Sequence, residues 1–103
     1  MKKYKAVVTI EKEYEIEIDE NVFDENFMKE FRESFYNFHD LEDHVEHIAQ
    51  YEARLGEAFI EGYGYVLRNG KPPFTLHEVK ACNAVNIIEK DEDVEVEVEL
   101  IKD

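Results

Sequence analysis

The chain of 103 residues has the size of one domain and is too short for two ordinary ones. Hydrophobic residues make up 44% and aromatic residues 13%, enough for a core and against intrinsic disorder, while 26 acidic residues against 12 basic ones set a net charge of −14. That balance disfavours direct binding to a nucleic-acid backbone, which requires Lys and Arg to neutralise phosphates.

Met1-Lys2-Lys3-Tyr4-Lys5 leads into alternation and not into the apolar block of a signal peptide, and no apolar stretch reaches the length of a membrane span. The single Cys82 excludes an internal disulfide framework and fits a reducing compartment, so the expected location is cytoplasmic, away from membranes. Residues 1–10 carry three lysines and no acid, residues 11–54 carry 15 acids and four bases, residues 57–88 balance, and residues 89–103 carry eight acids and two bases. The negative charge therefore lies in two blocks around a neutral middle, and is not an acidic tail. With no repeat, low-complexity tract or linker, residues 1–103 are expected to form a single acidic domain.

From Tyr4 to Ile18 the even positions are mostly apolar, Lys12 excepted, and the odd ones from 11 onward are Glu11, Glu13, Glu15, Glu17 and Asp19. Period two predicts a half-buried strand. After it, Asp24 is placed as a helix N-cap, Phe23 and Met28 stand at staple spacing, and Phe27, Phe31, Phe35 and Phe38 recur at three- and four-residue intervals, which predicts a helix of three to four turns. A break near Asn37-Phe38-His39-Asp40 precedes a second periodic set, Leu41, Val45, Ile48, Tyr51 or Glu52, and Leu55, closed by Gly56 as a left-handed cap. The two helices are expected to form a hairpin covering one sheet face.

Phe59 to Leu67 is aromatic and β-prone on both faces, as in an inner strand. Asn69-Gly70 signals a type I′ hairpin whose returning strand is cut short by Pro72-Pro73. Thr75-Leu76-His77-Glu78 fits a capping box for one short helical turn ending near Cys82, itself expected to face the core. Ala84 to Lys90 reads as a strand, turned at Asp91-Glu92-Asp93 into a final strand with Val94, Val96, Val98 and Leu100 alternating with Glu95, Glu97 and Glu99. The expected fold is α+β: an antiparallel-type sheet of about four strands, order β-α-α-β-β-β, with a two-helix hairpin on one face.

The chemistry on offer is chiefly charge. Alternate strand residues stand about 6.8 Å apart, and phosphates of one DNA strand advance about 3.4 Å, so a single glutamate row has about half the axial charge density of a nucleic-acid strand. Two rows, or one row with acids of the helices, approach a duplex-like potential that steers a basic partner. The competing account is that glutamates keep a sheet soluble and block edge pairing. Against it, same-sign rows forgo cross-strand pair stabilisation, a cost that a mixed Glu/Lys face avoids.

In its size, its acidity, and ladders such as Tyr14-Glu15-Ile16-Glu17-Ile18-Asp19 and Val94-Glu95-Val96-Glu97-Val98-Glu99, the chain resembles small inhibitors encoded by phages and plasmids, including anti-CRISPR and anti-restriction proteins of the nucleic-acid-mimic type. The resemblance implies a protein that occupies the nucleic-acid groove of a nuclease, and it carries over no individual residue. The expected partner is a basic nucleic-acid-binding protein, and the candidate contact residues are Glu11, Glu13, Glu15, Glu17, Asp19, Glu95, Glu97 and Glu99. The alternative is a non-catalytic interaction or structural module, such as a homodimer formed by adding an edge strand, with acidity serving solubility.

Other chemistry has less support. His39, His44 and His47 stand among Asp40, Asp43 and Glu46, a set from which a divalent metal can draw ligands, but the spacing is not HExxH and no cysteine pair accompanies it. The simpler reading is acids favouring a helix dipole beside surface histidines, so no metal or other cofactor is expected. Gly62-Tyr63-Gly64 lacks the third glycine and following helix of a phosphate loop, and its glycines are better read as close-packing positions. Neither Ser34 nor Cys82 sits in a nucleophile motif, so no enzymatic activity is expected. Tyr63, Tyr65 and Phe74 are expected in the core, the alternative being an exposed aromatic anchor in an interface, for which Phe74 and Arg68 are the positions to watch.

Overall fold

The computed structural model describes residues 1–73 and 82–102. Its elements run β1 (Lys3–Ile18), α1 (Glu25–Ser34), α2 (Leu41–Arg54), β2 (Phe59–Ile60), β3 (Gly64–Arg68) and β4 (Cys82–Lys102). The fold is α+β in the order β-α-α-β-β-β, with one sheet of strand order β1-β4-β3-β2. Pairings β1–β4 and β2–β3 are antiparallel and β3–β4 is parallel, so the sheet is mixed.

Local chemistry sets the helix boundaries. The Asp24 carboxylate accepts from Phe27 N–H at 2.9 Å and starts α1, while Phe23 and Met28 are both buried, as a staple across the first turn requires. Asp40 caps α2 in the same way, accepting from Asp43 N–H at 2.9 Å. Gly56 follows the last turn of α2 at φ +60 and its N–H donates to the Tyr51 carbonyl at 3.3 Å, a left-handed stop that favours glycine. Leu55, expected on the buried stripe of α2, is exposed, because the stripe runs through His44, Ile48 and Glu52 and has left the core by the last turn.

The neutral middle divides into two strands. Gly62 sits at φ +93 in the link between β2 and β3, and a Cβ there would stand 2.7 Å from Phe31 Cε2, so the ring of α1 packs directly on this backbone. At the end of β3, Asn69 (φ 53) and Gly70 (φ 77) make the tight turn, and Arg68 and Lys71 exchange two backbone hydrogen bonds of 2.9 and 3.1 Å. No longer returning strand follows before Pro72-Pro73 among the described residues. The capping box at 75–78 and Phe74 lie outside the described residues.

Two strands run much further than the rest of the sheet. β1 spans 16 residues, and β4 spans 21 without the turn expected at Asp91-Glu92-Asp93. The chain continues straight there because each half of β4 pairs with β1 and neither half pairs with the other. What replaces the turn is a bulge: Glu13 faces Asp91 and Tyr14 faces Glu89, leaving Lys90 as the extra residue. The bulge also reconciles two parities. Val85 and Ile87 point to the core from odd positions, and Val94, Val96, Val98 and Leu100 continue on that side from even ones.

The core lies under the helices and holds Phe23, Met28, Phe31, Ile48, Ile60, Tyr63, Val66, Ala84, Val85 and Ile87, with Tyr14, Ile16, Ile18 and Cys82 packed on its margin. It covers only the root of the long ribbon. Helices of 10 and 14 residues are about 15 and 21 Å long, whereas a 16-residue strand is about 54 Å, so the helix layer cannot reach residues 3–13 of β1. Those residues and 91–102 of β4 form a two-stranded arm, open on both faces, and the molecule measures 61 × 32 × 22 Å. The expectation of a half-buried strand from Tyr4 onward therefore holds only from Tyr14 to Ile18.

Candidate functional site

Glu11, Glu13, Glu15 and Glu17 project from the side of β1 opposite the helices, and all four are exposed. Glu95, Glu97 and Glu99 project from β4 on the same side, but they do not face the β1 glutamates. Their cross-strand partners are Thr9, Val7 and Lys5. The two rows are staggered end to end, and one takes over along the arm where the other stops.

The join between them is made by Asp91, opposite Glu13, and Asp93, opposite Glu11. These two acids were assigned by sequence to a turn and complete the row in the structure. Their odd parity with Glu95, Glu97 and Glu99 is the signal that places them with the final ladder. Glu17 to Glu11 and Asp93 to Glu99 are six residue steps each, so nine carboxylates are strung along about 40 Å of one face. A DNA strand carries about twelve phosphates over that distance. The row thus has about three-quarters of that density, above the half of a single ladder. Among the acids of the row, Glu11/Asp93 and Glu13/Asp91 alone oppose one another, so the stagger limits carboxylate repulsion to the join.

The row is uneven in its partners. Glu15 meets Lys90 Nζ at 3.5 Å, an exposed pair, and Glu17 accepts a 2.7 Å hydrogen bond from Asn86 Nδ2, whose Oδ1 in turn accepts from Gly70 N–H at 2.9 Å. Glu17 thus fastens β1 to β4 and to the Asn69-Gly70 turn. Asp19 lies beyond the strand: its carboxylate accepts from Asn21 N–H at 2.9 Å and its carbonyl from Val22 and Phe23, so it builds the turn into α1 and does not extend the row. Lys5 faces Glu99 across the ladder, and Lys12 turns to the other face, 3.8 Å from Glu92.

The histidine cluster does not assemble. His44, read as a surface residue of α2, is fully buried, with Nδ1 2.7 Å from the Tyr63 hydroxyl and its ring edge-on to Phe31 and Phe38 at 4.7 and 5.1 Å. Burial lowers its pKa below the usual histidine value and raises that of Tyr63 well above the ordinary phenol range, so this is a neutral hydrogen-bonded pair within the aromatic core. Its Nε2 has no hydrogen-bond partner among the described residues and is surrounded by rings. Among the described residues no group of three or more His, Cys, Asp and Glu is arranged to hold a metal.

Arg68, marked as a candidate anchor, is committed inside the fold. Its Nε donates to Glu52 Oε2 at 2.7 Å, and its guanidinium also reaches the carbonyls of Glu57 and Ala58. The Glu52 side chain is only 7% exposed, so Arg68 compensates a buried charge that would otherwise destabilise α2. Tyr63 is in the core, as expected, whereas Tyr65 is half-buried outside it, its ring edge-on to Phe59 at 5.2 Å.

Comparison of the chain with protein-family models, with curated proteins and with solved structures found no match. No helix of the described residues is long and apolar enough to cross a membrane.

Proposed function

We propose that this is a non-catalytic binding protein whose acidic arm face occupies the nucleic-acid-binding surface of a basic partner such as a defence nuclease. The observation that carries the reading is the stagger of the two rows, which draws nine carboxylates into one line, seven of them on an arm that protrudes from the helices. A protruding, rod-like polyanion suits a cleft that has evolved around a nucleic-acid strand, and its field raises the association rate with a cationic target. Glu11, Glu13, Glu95, Glu97 and Glu99, with Asp91 and Asp93, make the contact, while Glu17 and Asp19 serve the fold. A cytoplasmic location belongs to the same proposal and rests on the lone thiol of Cys82.

The test is capture from a bacterial lysate on the immobilised chain at 50 and 300 mM NaCl. Basic nucleic-acid-binding proteins should be retained at low salt, released by duplex DNA, and lost by at least 100-fold on the combined change Glu11→Gln, Glu13→Gln, Glu95→Gln, Glu97→Gln and Glu99→Gln. Equal retention by the neutralised variant would overturn the proposal. A second reading, an interaction module that assembles through its own copies, is favoured by the uncovered apolar side of the arm.

A further inference from the structure

The side of the arm opposite the acids is apolar. Tyr4 faces Leu100, Ala6 faces Val98, Val8 faces Val96 and Ile10 faces Val94, each pair directly across the ladder. Val8, Val96 and Val98 are 55, 58 and 64% exposed, and the patch ends at its root in the Lys12–Glu92 ion pair. Half-exposed aliphatic and aromatic side chains in this number leave on the order of 600 Å² of contiguous apolar surface, at the upper end of what a monomer displays. A two-stranded ribbon without a covered face is also marginal in water.

We propose that this face is covered by the same face of a second copy of the chain, the two arms crossing antiparallel about a two-fold axis that passes between the Ala6–Val98 and Val8–Val96 pairs. Two observations select this occupant. The buried area, on the order of 600 Å² from each copy, approaches the roughly 800 Å² per partner of a stable interface. The helix layer selects the orientation. It lies on the same side of the sheet as Val94, Val96, Val98 and Leu100. Parallel arms would drive the two helix layers into each other, whereas antiparallel arms set each tip against the other copy's root, short of its helices. Sheets packed face to face stand about 10 Å apart, which leaves both acid rows on the outside. The interface is isologous and closes at two copies.

The inference uses the face that the acid row does not, so the two succeed or fail separately. Sedimentation of the full chain at 1–100 µM in 300 mM NaCl should show a species of twice 12.2 kDa. Val8→Glu with Val96→Glu should weaken it at least 100-fold, and the milder Val8→Thr with Val96→Thr should weaken it less while keeping strand-forming residues. Both pairs leave the buried core untouched, and an unchanged melting transition of the dissociated chain checks this. In a Cys82→Ser background, a bismaleimide cross-linker of about 10 Å reach, matched to the sheet spacing and longer than a disulfide allows, should join Tyr4→Cys chains to Ile10→Cys chains in a mixture. A monomer at 100 µM, an assembly indifferent to Val8→Glu with Val96→Glu, as edge-strand addition would be, or self-linking of Tyr4→Cys in preference to the mixed pair would overturn the proposal.

Discussion

At His44 a titratable ring is held neutral among Phe23, Phe27, Phe31 and Phe38, and burial, opposed in part by Asp43 and Asp40, keeps its pKa below 6.5. Below that pH the unfolded chain takes up a proton that the folded chain refuses, so stability falls as pH drops from 6.5 toward the folded-state value. Burial lowers the pKa of His47 as well, which adds to the same slope. Stability should decline between pH 7.5 and 5.5, as read by urea unfolding at each pH. His44→Phe with Tyr63→Phe removes both partners of the buried hydrogen bond and should cost little at pH 7.5, with a visibly shallower pH slope. Tyr63→Phe alone strands Nδ1 and should cost about 1–3 kcal/mol. An undiminished slope in the double variant would show that His44 is not its source. The position of His44 was not legible from its neighbours, since Asp40, Asp43 and Glu46 made its surroundings look solvated. Three-residue spacing from Leu41 and four-residue spacing to Ile48 were the signal that it faces inward.

Among the elements, β4 shows how one residue sets which faces align. With Lys90 as the unpaired residue, the odd-position core side chains Val85 and Ile87 and the even-position arm residues Val94 to Leu100 share a side. Deleting Lys90 brings the ladder into unbroken register with every face retained, so the melting temperature should move by no more than a few degrees. A large drop in melting temperature on this deletion would contradict the assigned register. Alternation made the strands around this point legible, and the caps Asp24 and Gly56 made the helix ends legible. The continuity of β4 through Asp91-Glu92-Asp93 was not, because an acidic triplet between two alternating segments has the composition of a turn, and only the length of β1 on the neighbouring strand shows that both segments have a partner.

For the whole molecule, 26 acids on a body only 22 Å thick in its shortest dimension make self-repulsion a global quantity. Stability should rise with ionic strength, with a melting temperature several degrees higher at 300 than at 10 mM NaCl, because screening relieves the join at Glu11/Asp93 and Glu13/Asp91. A transition that does not move over that range would show that the carboxylates are too far apart to feel each other. The amino-acid order by itself determined the α+β class, the chain order of elements, the two alternating ladders and the caps, since each depends on side chains within a few positions of one another. The tertiary structure alone decided that the acid rows lie end to end, that His44 and Arg68 serve the interior, and that the helices leave the arm uncovered. Those outcomes depend on strand register and on the reach of one layer over another, which are relations between residues distant in the chain.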